Sequence, residues 1–346
     1  MKKKSLVFDI PNIAFEVAAV NKPNPKNKNF GVDMPTLSGL CMHILFQRVQ
    51  KFFNTHNPDY LVFTFENKNN WRKAYTKSDA CVSKIPYKGN RVYDSSMDYY
   101  FKMLDAFRET CTHHTSIICL TAEGLEGDDL IAGYAQLYAS DDHEVVILSG
   151  DKDFVQLLKN PNVTLINQRD GKKRNQPGDK IYWPDLDYYM FQDAMRGQKK
   201  DNVHSAKPGV RTTQLVKAFN DEVEMLNLMN ETWEGEVDGK KITYRVGDLY
   251  EENKMLLDLT KQPEEVRQYM FEIIKNEVNN LGKYSNFHLQ KFLGQFQLKK
   301  ISDEIVKFQD IFVRNTLTSK GMSPNQIQAQ KKTEVVKEKS SGLLVF

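Results

Sequence analysis

The chain is poor in cysteine, lacks any long apolar run, and carries no dominant sign of charge. Its four cysteines, Cys41, Cys81, Cys111 and Cys119, form no CxxC pair and have no zinc-type histidine grouping beside them. That argues against a disulfide framework or a zinc module and fits reduced thiols in an intracellular protein. No stretch approaches the roughly 18 apolar residues of a membrane span. Met1-Lys2-Lys3-Lys4 has the basic start of a signal peptide, but the apolar segment behind it stops at Asp9, too soon for export. A soluble, cytoplasmic protein without membrane association is therefore expected. With 48 Lys and Arg against 45 Asp and Glu, the net charge is only +3. Whole-chain charge thus says little about partners, and its local segregation must carry the argument.

At 346 residues, 40% of them hydrophobic, the chain is long enough for one sizeable core and an additional subdomain. Short β-branched runs at 5–10, 60–65, 115–120, 144–148 and 163–166 alternate with amphipathic stretches. This is the pattern of an α/β fold with a mostly parallel, twisted central sheet flanked by helices. Pro35 suits a helix start, and Leu37, Leu40, Cys41, Ile44, Leu45, Val49, Phe52 and Phe53 keep helical spacing behind it. Further helices are expected over 96–111, capped by Asp94 or Ser95, over 184–195 and over 264–280, with a short one at 154–158. From about residue 203 the strand pattern thins, which predicts a helical subdomain over 203–317 without a sheet of its own. Residues 318–346 read as a polar, disordered tail that ends in the apolar peptide Gly342-Leu343-Leu344-Val345-Phe346.

Acidic residues recur where the strand runs stop. Asp9 follows Leu6-Val7-Phe8, Glu66 follows Leu61-Val62-Phe63-Thr64-Phe65, and Glu126, Asp128 and Asp129 lie just past Ile117-Ile118-Cys119-Leu120. Asp151 and Asp153 follow Val145-Val146-Ile147-Leu148. In open parallel sheets the site lies beyond the carboxyl ends of the strands, so these acids should share one cleft. Any one of them could simply cap a helix or complement its dipole. Together they would repel one another and resist ionisation unless a cation compensated. Hard oxygen donors without histidine or thiolate select Mg²⁺ or Mn²⁺, and two such ions about 4 Å apart suit hydrolysis of a phosphodiester. Periodicity fails between residues 66 and 94, where Trp71, Arg72, Lys73, Tyr75, Tyr87, Lys88 and Arg91 mix cations with aromatics. An insertion of that length suits phosphates and base faces better than it suits a connector.

Three segments carry a family resemblance: Glu126-Gly127-Asp128-Asp129-Leu130-Ile131-Ala132, Ser149-Gly150-Asp151-Lys152-Asp153-Phe154-Val155-Gln156-Leu157 and Gly197-Gln198-Lys199-Lys200-Asp201-Asn202. In this order and spacing they resemble the 5′ nucleases of the flap-endonuclease family, and Tyr87-Lys88-Gly89-Asn90-Arg91 is similar to the helical-arch motif of its phage members. The resemblance implies a PIN-like nuclease domain over 1–202 with an arch at about 66–94, and a duplex-binding helical subdomain behind it. It implies a two-Mg²⁺ centre, with Mn²⁺ as substitute: Asp9, Glu66, Glu126, Asp128 and Asp151 around the first ion, and Asp129, Asp153 and Asp201 nearer the second. Asp151 would lie between the two. Lys88 and Arg91 would neutralise the scissile phosphate, with Arg72, Lys73 and Tyr87 as further contacts to nucleic acid. Ala206-Lys207-Pro208-Gly209-Val210-Arg211-Thr212-Thr213-Gln214 resembles the family's helix-turn-helix element, in which Lys207, Arg211 and Lys217 would hold the duplex backbone.

The implied activity is 5′-to-3′ exonuclease and flap endonuclease action by a monomer on DNA and RNA–DNA duplexes with 5′ ends, including RNA primer removal in phage replication in the host cytoplasm. The tail resembles sliding-clamp-binding peptides, with Leu343, Leu344 and Phe346 as the pocket-filling residues, and a single-strand-binding protein is a further candidate partner. The chain departs from the family pattern at three places. Glu66 stands where most members carry aspartate, Gln198 replaces an aspartate three residues before Asp201, and the second glycine of the helix-turn-helix hairpin is replaced. Gln198 also motivates a second reading, a branched-DNA-binding replication accessory with weakened catalysis. A phosphatase of the haloacid-dehalogenase type would need an aspartate two residues after Asp9, where Pro11 stands.

Overall fold

The computed structural model describes residues 2–22, 31–67, 69–92, 94–237 and 239–322. Five strands, β1 (Lys3–Asp9), β2 (Tyr60–Thr64), β3 (Ile118–Leu120), β4 (His143–Leu148) and β5 (Val163–Ile166), form one parallel sheet in the order β3-β2-β1-β4-β5. Both faces are covered. Leu6, Phe8, Leu61, Phe63, Val146 and Leu148 face one core, whereas Val7, Val62, Val145 and Ile147 face the other. Alternate side chains are apolar on both sides, which is why these segments read as continuous hydrophobic runs.

Helices α1 (Ile10–Asn21), α2 (Met34–His56), α3 (Trp71–Tyr75), α4 (Asp98–His114), α5 (Gly127–Tyr138) and α6 (Leu186–Arg196) fill the crossovers and the segment after β5. Asp33 caps α2 by accepting from the Thr36 amide, with Pro35 in the first turn and Asn57 closing the helix in the left-handed region at φ 42°. Asp94 caps the short 3₁₀ turn that leads into α4. Among the described residues of 66–94 the helical part is confined to α3; turns and irregular backbone make up the remainder, and Lys88 donates its amide to the Asp201 carbonyl at 2.7 Å.

The second half departs from the sequence expectation twice. Helices α7 (Thr212–Asn220), α8 (Glu222–Asn230) and α9 (Val246–Leu257) are joined by an antiparallel hairpin, β6 (Thr232–Val237) with β7 (Lys240–Arg245), so this region does have a small sheet. Its core, Phe191, Met195, Leu215, Leu228, Tyr244 and Leu249, is separate from the two sheet cores and draws on α6. The following helices, α10 (Glu264–Asn279), α11 (Asn286–Gln295), α12 (Lys299–Asp303) and α13 (Gln309–Ser319), return to the sheet. Met270 and Ile274 join one of its faces, and Leu289, Phe292, Phe308 and Phe312 join the other. Residues 264–319 therefore pack with the α/β core, because their apolar stripes complete its two layers. No described helix is long and apolar enough to cross a membrane.

Candidate metal centre

Strand register places the acids. Phe8 pairs with Leu148 and Asp9 with Thr64, so three neighbouring strands deliver Asp9, Ser149 and Glu66 to one edge. Asp9 caps α1, accepting from the Asn12 amide at 3.1 Å, and its other oxygen accepts from the Ser149 hydroxyl at 2.7 Å. Glu66 accepts from the Gly127 amide at 2.9 Å, which ties it to the start of α5. Asp151 caps the 3₁₀ helix Lys152–Lys159, accepting from the Asp153 amide at 3.0 Å. Glu126 caps α5 in a capping box with Asp129.

The electrostatics show how crowded these carboxylates are. Burial, with the charges of Glu66 and Asp151, pushes the Asp9 carboxyl up to about 7 against the lowering effect of its hydrogen bonds. Asp128 is raised well above the usual carboxylate range by burial and then by Asp9, Glu66, Asp151 and Glu126. Glu66 is raised by burial and by Glu126, and Asp153 by burial and by Asp151. Asp9, Glu66, Glu126, Asp128 and Asp151 therefore lie within one another's fields.

Basic side chains bridge them. Lys200 reaches Asp151 at 3.0 Å and Asp153 at 2.7 Å. Lys88 pairs with Glu126 and lies 3.9 Å from Asp201, and Arg91 pairs with Asp201 at 2.8 Å. Among the described residues, no three His, Cys, Asp or Glu side chains stand as a ready-made ion cage; these ammonium and guanidinium groups occupy the acceptor oxygens instead. The donor chemistry nevertheless fits a hard divalent cation: clustered carboxylates, together with the buried Gln198 carbonyl oxygen, which has no hydrogen-bond partner among the described residues.

Three expected sites look different in place. Asp129 is fully buried and grips Arg72 through two bonds of 2.8 Å, while Trp71 Nε1 and Gln262 Nε2 donate to it at 3.2 and 3.1 Å. Burial alone would raise its carboxyl, but the Arg72 guanidinium outweighs that and holds it below the ordinary value. Asp129 is thus saturated by protein donors and is not placed to ligate an ion. Arg72, 1% exposed and also bonded to Glu126 and to the Leu256 carbonyl, cannot reach a nucleic-acid backbone. Tyr87 is buried too and donates its hydroxyl to Glu126 at 3.1 Å, so it supports the site from behind instead of offering a stacking face. Glu126 itself accepts from Asn70, Arg72, Tyr87 and Lys88.

Lys73 is half-buried beside this group. Lys207 pairs with Glu231, Lys217 with Glu224 at 2.6 Å, and Arg211 is exposed just before α7. Leu343, Leu344 and Phe346 lie outside the described residues. Two residues escaped the sequence reading: Lys200, and Asp193 in the last turn of α6, whose Oδ2 accepts from Gln198 Nε2 at 2.5 Å. Gly197 was the available signal for Asp193. Its backbone, φ 66° and ψ −177°, belongs almost exclusively to glycine and marks a turn that folds Gln198 back onto the helix.

A parallel sheet with acids at its strand ends is faced by basic residues from an insertion, and comparison with known proteins shows what this arrangement is similar to. Residues 18–182 match the family described as 5′-3′ exonuclease, N-terminal resolvase-like domain. Over that segment, a little under half of its length, the chain is similar to the 5′ nuclease family. It is similar to the ribonuclease H of Enterobacteria phage T4, 23% identical over 328 residues that cover 89% of this chain and 96% of that protein. A DNA polymerase I of Rhizobium leguminosarum is 28% identical over 64% of this chain, which spans only 21% of that polymerase. The fold is shared with the bacteriophage T5 flap endonuclease in a pseudo-enzyme–product complex with DNA and metal ions, at TM-score 0.51 and 14% identity over 80% of this chain and 99% of that one. A T5 protein co-crystallised with metal ions aligns at TM-score 0.50 and 15% identity, covering 85% and 98%.

Proposed function

We propose that this chain is a Mg²⁺-dependent 5′ nuclease, a 5′-to-3′ exonuclease and flap endonuclease that removes RNA primers and 5′ flaps during phage-type DNA replication. The observation that carries the reading is the ring of mutually repelling carboxylates at the ends of β1, β2 and β4 and the start of α5, faced by Lys88 and Arg91. Asp9, Glu66, Asp128 and Asp151 would hold a first divalent ion and Asp153 and Asp201 a second, with Glu126 as a buried support. Two Mg²⁺ ions, or Mn²⁺ in their place, supply Lewis-acid activation of water and charge stabilisation at the leaving oxygen.

The protein's own groups do the remainder. Lys88 and Arg91 exchange their carboxylate partners for the scissile phosphate when substrate arrives, and they orient it over Asp151. Removing one such donor costs about 10²–10³-fold in turnover. Lys207, Arg211 and Lys217 grip the duplex backbone without reading sequence, so binding weakens steeply with salt. The apolar peptide at 342–346 docks on a sliding clamp, and single-strand-binding protein coats the exposed template.

A labelled 5′-flap duplex tests the reading. Cleavage should require Mg²⁺ or Mn²⁺, stop with chelator, and leave a 5′-phosphate on the product. Tight junction binding without cleavage under any divalent ion would favour instead the accessory reading that Gln198 motivates.

A further inference from the structure

Position 198 combines two features that packing does not require. Its side chain is 5% exposed, and the amide nitrogen bridges two carboxylates, Asp153 Oδ1 at 3.2 Å and Asp193 Oδ2 at 2.5 Å. The carbonyl oxygen of the same buried amide has no hydrogen-bond partner among the described residues. A buried carbonyl left without a donor forfeits its hydration, and native interiors rarely tolerate that.

Asp193 is as poorly placed for a purely structural role. It lies in the last turn of α6, with its own backbone carbonyl accepting from the capping Gly197 amide at 2.8 Å. Carboxylates are disfavoured at that end of a helix, where the macrodipole is negative. The nearby lysines, Lys152 and Lys200, offset burial only in part, and Asp201 adds repulsion. Lys200 bonds to Asp151 and Asp153, which leaves the Gln198 amide as the group between Asp193 and the rest of the cluster.

We propose that Asp193 is a ligand residue of the second cation, supplying from α6 the negative charge that the family pattern places at position 198. This rests on the two-ion reading above. In the metal-free arrangement the Gln198 NH₂ fills the gap between Asp153 and Asp193. When a divalent ion enters that gap, the amide turns over and presents its unpartnered carbonyl oxygen, so Asp153, Asp193 and Gln198 Oε1 form three hard oxygen donors, with Asp201 nearby. The Gly197 turn brings this about: a Cβ at position 197 would lie 2.3 Å from the Val203 carbonyl oxygen, so only glycine lets residue 198 fold back along α6. The chain thus keeps the charge of a two-aspartate site with one member moved five residues upstream.

The test is Mn²⁺ binding to the full chain, followed by electron paramagnetic resonance of free Mn²⁺ and by calorimetry, with no substrate present. Wild type should bind two ions. Asp193→Asn should leave the tighter ion in place and weaken the other by about tenfold or more, and adding Gln198→Asp to it should restore the weak site. Two ions in wild type with both affinities unchanged in Asp193→Asn would overturn the role of Asp193 alone. Fewer than two ions in wild type would overturn it together with the two-ion reading. Should Asp193→Asn fail to fold, the double variant decides: a folded protein with both ions supports the proposal, and an unfolded one makes Asp193 a structural residue and defeats it.

Discussion

Asp9 concentrates the tension of the centre in one carboxyl. Its ordinary value of 3.8 is raised to about 7, first by burial, so the folded chain holds this proton more tightly than the unfolded chain does. The stability it contributes is full below about pH 4 and is lost as pH rises through about 7. Asp128, Glu66 and Asp153 are raised as well, so the metal-free protein should melt at a lower temperature at pH 8 than at pH 5. In Asp9→Asn that difference should shrink; thermal melts across this range check it, and an unchanged slope would count against the crowding. Arg72 shows the opposite use of charge, a buried pair that holds α3 to α5. Arg72→Leu leaves Asp129 buried and unpaired, which should cost about 3–5 kcal/mol in a denaturant titration. The two acids look alike in sequence, since each follows a strand run. What separates them is the Arg72 partner of Asp129, 57 residues away, which no local pattern reveals.

At the level of elements, the parallel sheet was legible because both of its faces are buried. The 163–166 strand has the expected bounds and the others differ by a few residues at their ends, where capping and apolar runs compete. The β6–β7 hairpin was missed although Asp238-Gly239, with Gly239 at φ 75°, is a strong hairpin signal; alternating charges on its strands hid the period. The return of α10–α13 to the sheet depends on long-range packing, which amphipathic spacing alone cannot assign to a layer. The turn after α6 offers the sharpest element-scale prediction. Gly197→Ala forces a side chain into a backbone region worth about 1–3 kcal/mol of strain and against Val203. It should destabilise the protein and speed amide exchange over 197–203, while exchange in the β1–β4 pair stays slow; slow exchange throughout would mean that the turn absorbs the methyl.

Across the whole molecule, the sheet supplies Asp9, Glu66 and Asp151, α5 supplies Asp128, and the chain between α6 and α7 supplies Gln198 and Asp201. The insertion folds Lys88 and Arg91 onto them. Its polar residues divide by depth: Arg72 and Tyr87 brace the carboxylates from the interior, whereas Arg91 pairs with Asp201 and keeps its side chain 55% exposed. Sequence pointed to these residues as candidates but could not rank them by depth, because burial is a property of the assembled layers. The centre functions as a unit only if its carboxylates serve cleavage and not binding. The most direct measurement is cleavage and binding of a labelled 5′-flap duplex in Mg²⁺ by wild type and Asp151→Asn. The account predicts cleavage by wild type, and in the variant a loss of cleavage with flap affinity retained; cleavage by Asp151→Asn at the wild-type rate would contradict it.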